Sequence, residues 1–166
     1  TRMGALRIKT EINGDFLDND MQWSAPPITS LAELEQASWQ LEQDDTPQMR
    51  RWLQILLAPG SSLGGARPKA NVRNADGRLW IAKFPSRNDK TNIGAWEALT
   101  MQLAKRCGIR VAPFEIKYIN NKHAIFLTQR FDRDEKGRRI HFTSAMTTLG
   151  YSDGDTQGCS QQELAD

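Results

Sequence analysis

Leu79-Trp80-Ile81-Ala82-Lys83-Phe84 is apolar on both faces of an extended chain except for one lysine near its end. Aromatic and β-branched residues favour the pleated conformation. Upstream lies Lys69-Ala70-Asn71-Val72-Arg73, and between the two runs stands Ala75-Asp76-Gly77-Arg78. An Asp-Gly pair between such runs predicts a hairpin, with strands over Lys69 to Arg73 and Leu79 to Phe84. An ammonium ending a buried strand needs a partner, since an unpaired buried charge costs about 3 to 5 kcal/mol. Lys83 therefore calls for a carboxylate or a phosphate.

Beyond the hairpin, Thr91 to Cys107 reads as a long helix, with Ile93, Trp96, Leu99, Leu103 and Cys107 as its buried apolar stripe and Gly108 as its stop. Two more strands are expected, Phe114 to Ile119 and His123 to Gln129, around Asn120-Asn121-Lys122, followed by a charged loop from Arg133 to Arg139. Ahead of the hairpin, the capping box Ser30-Leu31-Ala32-Glu33 opens a helix over 31 to 43. Thr46-Pro47 opens a second helix, burying Trp52, Leu53 and Leu56 and ending at Pro59-Gly60. Residues 3 to 28 are short and turn-rich, with a hairpin turn expected at Asn13-Gly14 and punctuation at Pro26-Pro27. The fold class is α+β: an antiparallel sheet carrying one main helix, preceded by two short helices and a small β-rich N-terminal piece.

A chain of 166 residues, 39% hydrophobic and 25% charged, has room for a core. Its 22 basic and 20 acidic residues interleave to a net charge of +2, which argues against strong direct nucleic-acid binding or an anionic membrane surface. Apolar runs such as Ile55-Leu56-Leu57-Ala58 fall far short of the ~20 residues of a membrane span. Cys107 and Cys159 lie far apart at no metal spacing, which favours a reducing, cytoplasmic address. Ser160-Gln161-Gln162-Glu163 is a helix start with almost no helix after it, so a longer parent chain is expected.

The chemistry gathers just before the hairpin. In Gly60-Ser61-Ser62-Leu63-Gly64-Gly65-Ala66-Arg67-Pro68-Lys69, the glycines let backbone amides approach an anion, as in a phosphate cradle; the bland alternative is a plain turn. The loop is not a Walker motif, because Ala66 stands where a lysine would follow the second glycine and Ala70 has no hydroxyl for magnesium. Glu97, on the helix that follows, is the candidate partner of Lys83; the alternative is a strand-end lysine reaching water and a solvated glutamate. Taken in order, a loop over phosphates, a lysine on them and a glutamate fixing the lysine form the sequence of parts used by protein kinases.

With Trp80-Ile81-Ala82-Lys83-Phe84-Pro85-Ser86, Trp96-Glu97 and Gln129-Arg130-Phe131-Asp132-Arg133, the segment Ser61 to Ala70 resembles the successive signatures of HipA-type serine/threonine kinases. Arg2-Met3-Gly4-Ala5-Leu6 is similar to the end of that family's N-terminal subdomain, and Gly150-Tyr151-Ser152-Asp153-Gly154-Asp155 to its approach to the C-terminal lobe. The resemblance implies a bacterial kinase toxin that phosphorylates a protein substrate and is held by a HipB-like DNA-binding antitoxin. It implies residues 1 to 58 as the end of the N-terminal subdomain with a helical connector, 59 to 142 as a kinase N-lobe-like ATP-binding unit, and 143 to 166 as the start of a helical C-lobe. Gly64, Gly65, Ala66, Arg67, Pro68 and Lys69 would embrace the ATP phosphates, with Lys83 on them and Glu97 behind it. Gln129, Arg130 and Phe131 would form the hinge against adenine, although the family often has glutamate at the position of Gln129. Ser62 would be the autophosphorylated regulatory serine, with Ser61 as its alternative; a dianion there would expel the loop. The catalytic aspartate and the magnesium ligands are expected downstream, because no H-x-D pattern follows His123 or His141.

Other patterns read as structural. Asp153 to Leu164 imitates a calcium loop but lacks glutamate at its twelfth position, and His123 and His141 have no ligand companions at metal spacing. Trp39, Trp52 and Trp96 fall at helical core positions. The competing function is a non-enzymatic module that engages an antitoxin, which would not require Lys83 and Glu97 to match behind a glycine-rich loop.

Overall fold

The computed structural model describes residues 3–17, 25–41 and 67–152, with 154, 160 and 162. Within them lie the helix α1 (Leu31–Leu41), strands β1 (Lys69–Arg73) and β2 (Leu79–Lys83), the helix α2 (Ile93–Arg106), strands β3 (Phe114–Lys117) and β4 (Ile125–Gln129), and the short helix α3 (Ala145–Leu149). The expected helix from Thr46, the glycine-rich loop from Gly60 to Ala66, both regulatory serines and most of the calcium-like stretch lie outside the described residues.

The strands form one antiparallel sheet in the order β1-β2-β4-β3. Both expected hairpins form, and β2 joins them by pairing with β4, so the strand that ends in Lys83 lies inside the sheet. At the first turn Gly77 takes φ +78° and donates to the Asn74 carbonyl at 3.0 Å, the left-handed geometry that Asp-Gly provides.

Strand alternation gives the sheet two faces. One carries Ala70, Val72, Ala82, Ile125 and Leu127, which pack with Phe84 and with Leu31, Leu34 and Ala37 of α1 as the core. The register puts Lys69, Lys83, Phe126 and Ile116 in a row on the other face. That second face meets α2. The helix starts at Asn92, whose side-chain oxygen accepts from Ala95 N at 3.1 Å and from Ala124 N at 2.9 Å. It ends in a Schellman turn: Gly108 N donates to Lys105 O at 3.1 Å and Ile109 N to Ala104 O at 3.0 Å, with Gly108 at φ +79°.

Two expectations need correction. Most of the stripe assigned to the core of α2 faces outward: Trp96 is 59% exposed, Leu99 45% and Leu103 51%, and Cys107 is exposed as well, while Ile93 is half-buried. Gly94, Glu97, Ala98, Met101 and Ala104 form the more enclosed side instead. Gly94 sits so close to β4 that a Cβ there would lie 2.2 Å from the Ala124 carbonyl oxygen. The helix is apolar along two lines, and its smaller residues permit the closer approach. The hairpin expected at Asn13-Gly14 is only a turn, with Gly14 N on Glu11 O at 3.1 Å and a further backbone bond from Leu17 N to Ile8 O at 2.8 Å; no strand forms within 3–17.

Candidate functional site

The register that closes the first hairpin places Lys69 directly opposite Lys83. Like charges facing across a strand pair are unfavourable, so the pair needs negative charge nearby. Part of it comes from α2, where Glu97 is ion-paired with Lys83 Nζ. The lysine and glutamate side chains are 31% and 32% exposed, so the pair lies at the mouth of the sheet face and is not sealed in the core. Lys83 Nζ also stands 5.5 Å from the centre of the Phe126 ring, its neighbour across β4.

Lys69 feels the remaining imbalance. Burial, and then the charges of Lys83 and Arg67, hold its ammonium below the ordinary lysine range, with Glu97 opposing them. Three cations, Arg67, Lys69 and Lys83, thus lie near the start of β1 and the end of β2, with Glu97 among them.

Arg67 is fixed at this rim by a contact that the sequence did not announce. Its guanidinium donates twice to the Asp89 carboxylate, at 2.6 Å each, and once to the Phe84 carbonyl at 3.2 Å. Asp89 also accepts from Ser86 N at 2.9 Å. The Arg67 hydrogen bonds hold the Asp89 carboxyl below its usual range against the opposing effect of burial. Ser86 therefore works with Asp89 as a brace for the entrance to β1; Asp89 lies 22 positions from Arg67 in the β2–α2 loop, and no local pattern marks the two as partners.

The stretch after β4 is a second, separate constellation. Gln129 N donates to Pro113 O at 2.8 Å and Arg130 N to Leu79 O at 3.0 Å, so both amides are already engaged. The Arg130 side chain, expected in a hinge, is fully buried: it donates to both Asp132 oxygens, at 2.8 and 2.6 Å, and to Asn71 Oδ1 at 2.7 Å. Asp132 Oδ2 also takes Arg133 at 2.8 Å and the Gly4 amide at 2.6 Å, while Arg139 reaches the Gly4 carbonyl at 3.1 Å. Burial alone would raise the Asp132 carboxyl; hydrogen bonds from Arg130 and Gly4, with the charges of Arg130 and Arg133, outweigh it and hold the group below its ordinary range. Phe131 is exposed and packs edge-on against Phe142, with ring centres 4.9 Å apart.

Of the expected site residues, the structure thus brings together Arg67, Lys69, Lys83 and Glu97, with Pro68 accepting from Phe84 N at 2.9 Å beside them. It places Gln129, Arg130 and Phe131 at the far end of β4. Gly64, Gly65 and Ala66 lie outside the described residues. Among the described residues no group of three or more His, Cys, Asp or Glu side chains gathers to hold a metal ion, and no helix is long and apolar enough to cross a membrane.

An antiparallel sheet in which two lysines face each other, with one helical carboxylate beside them, defines an α+β domain. The family of HipA-like C-terminal domains matches residues 61–166, and the chain belongs to it, as a HipA-type protein. No curated protein and no solved structure matches the chain.

Proposed function

We propose that this chain carries the ATP-binding part of a HipA-like serine/threonine protein kinase toxin, which in its full-length parent transfers a phosphoryl group from Mg-ATP to a protein hydroxyl. The observation that carries the reading is the Lys83–Glu97 ion pair with Lys69 opposite Lys83 and Arg67 beside it. A strand lysine steadied by a helix carboxylate suits a phosphate group, because the carboxylate orients the ammonium while Lys69 and Arg67 add positive potential beside it. Lys83 and Lys69 would hold the phosphates, and the glycine-rich residues Gly64 and Gly65 would close over them. Ser62, or Ser61, would be the site at which a phosphate disables that closure. Gln129 to Phe131 would border the base, with Phe131 and the backbone as the available contacts. Magnesium neutralises phosphate charge in such reactions, and its ligands are expected outside the residues described here.

Thermal unfolding with and without Mg-ATP, beside Lys83→Ala, tests the reading. Nucleotide at 100 times its dissociation constant should stabilise the wild-type chain by about 2.7 kcal/mol and the variant by much less. Equal shifts in the two proteins, or none in either, would overturn it.

A second reading, a module that engages a HipB-type DNA-binding antitoxin without catalysis, is favoured by the outward Trp96, Leu99 and Leu103 of α2. The two readings separate on Lys83→Ala, which should leave antitoxin binding intact if the surface alone matters.

A further inference from the structure

The helix α1 carries a buried charge that the core leaves half answered. Glu35 is 3% exposed; Oε2 accepts the Asn120 amide at 2.9 Å, and Oε1 has no hydrogen-bond partner among the described residues. A second bond, from Asn120 Nδ2 to the Ala32 carbonyl at 3.3 Å, holds the β3–β4 turn against the helix. Burial raises the Glu35 carboxyl above its ordinary range in spite of Asn120. A buried acceptor left without a donor costs about 1 to 3 kcal/mol, and buried polar groups without partners warrant a ligand or water as explanation.

Glu35 lines a cleft of about 560 Å³ between α1 and the turn, together with Gln36, Trp39, Asn120, Asn121 and Lys122. It belongs to the α1 side of the sheet, whereas Lys69 and Lys83 project from the other face, so the two sites are separate. The Arg87 guanidinium, a flat nitrogen-bearing group, lies over the Trp39 ring at 5.0 Å, so the indole offers an aromatic surface at this wall. With Arg87 and Lys122 so close, a strongly basic ligand is disfavoured, and Lys122 supplies a donor for an acceptor on whatever enters.

We propose that this cleft is a second ligand site, taking a small planar amino-heteroaromatic compound. Its exocyclic N–H would point to Glu35 Oε1, its ring acceptor would face Lys122, and its flat body would lie along the Trp39 wall. The site stands on this geometry and does not depend on nucleotide binding at the opposite face.

The test is an NMR titration of the ¹⁵N-labelled full chain with 2-aminopyridine, and with pyridine, which keeps the ring but lacks the amino donor. Saturable shifts are expected at the amides of Gln36, Asn120, Asn121 and Lys122 and at the Trp39 indole, with pyridine weaker by about 10-fold. Glu35→Gln keeps an oxygen for Asn120 but puts an NH₂ donor where the free acceptor stood, so 2-aminopyridine should again weaken by about 10-fold. No saturable shift at these residues by about 10 mM ligand, equal responses to the two compounds, or a folded Glu35→Gln that binds like the wild type would each overturn the site. Should that variant fail to fold, the paired titration of the wild-type chain decides alone.

Discussion

Lys69 and Lys83 face each other across β1 and β2, with Glu97 paired to Lys83. The sheet thus holds a like-charge juxtaposition at the place where the candidate site lies. Burial and the neighbouring cations lower the Lys69 pKa, so the folded chain holds that proton less tightly than the unfolded chain. Wherever the unfolded state binds more protons, stability rises with pH. Stability should therefore increase from the folded-state pKa of Lys69 up to about pH 10, near the unfolded lysine value. Lys69→Met, which keeps the apolar stem, should flatten that rise in urea midpoints measured against pH.

Glu97→Gln separates a functional pair from a structural one. Both members of the Lys83 pair are about a third exposed, and solvent-screened pairs contribute about 0 to 1 kcal/mol. The variant should unfold within about 1 kcal/mol of the wild type, while the Mg-ATP-induced thermal shift falls markedly.

At Gly94 the sign of the effect is decisive. Helix propensity alone would make Gly94→Ala stabilising by about 1 kcal/mol. The new Cβ would meet the Ala124 carbonyl oxygen at 2.2 Å, and overpacking of this kind costs about 1 to 3 kcal/mol. Denaturant unfolding should show a net loss.

Asp132 should control acid stability. Its folded pKa is depressed, so its contribution is fully present above the unfolded value and is lost as pH falls below about 4 toward the folded one. Asp132→Asn leaves the buried Arg130 without its charge partner and should cost about 3 to 5 kcal/mol at neutral pH. The acid-linked slope of the wild-type urea midpoint should shrink in the variant.

Local chemistry made much of the fold legible. The Asp76-Gly77 turn, the strand-favouring runs on either side of it and Gly108 at the helix end each act within a few residues, and all three stand where the sequence puts them. Lys83 and Glu97 are 14 positions apart, close enough for one helix after one strand to imply their meeting. The side of α2 that meets the sheet was not legible, because larger residues dominate an apolar pattern while close packing selected Gly94, Ala98 and Ala104. Nor was the role of Arg130 and Asp132: the Gly4 amide that Asp132 accepts lies 128 residues away, and no local pattern encodes such a contact. Nor does anything local mark Glu35 as buried, because the β3–β4 turn whose Asn120 amide it accepts lies 85 residues along the chain.

Asn92 holds the start of α2 from three directions: its oxygen takes Ala95 and Ala124, and its amide nitrogen donates to Tyr118 Oη at 3.1 Å. A helix pinned at one end moves as a lever about that end. Glu97 stands about 7 Å along the axis from Asn92 and Arg106 about 21 Å. Any tilt therefore carries the far end about three times as far as the carboxylate on Lys83. A tilt caused by a push on the outward face near Leu103 would therefore displace the Glu97 carboxylate less than the point that is pushed.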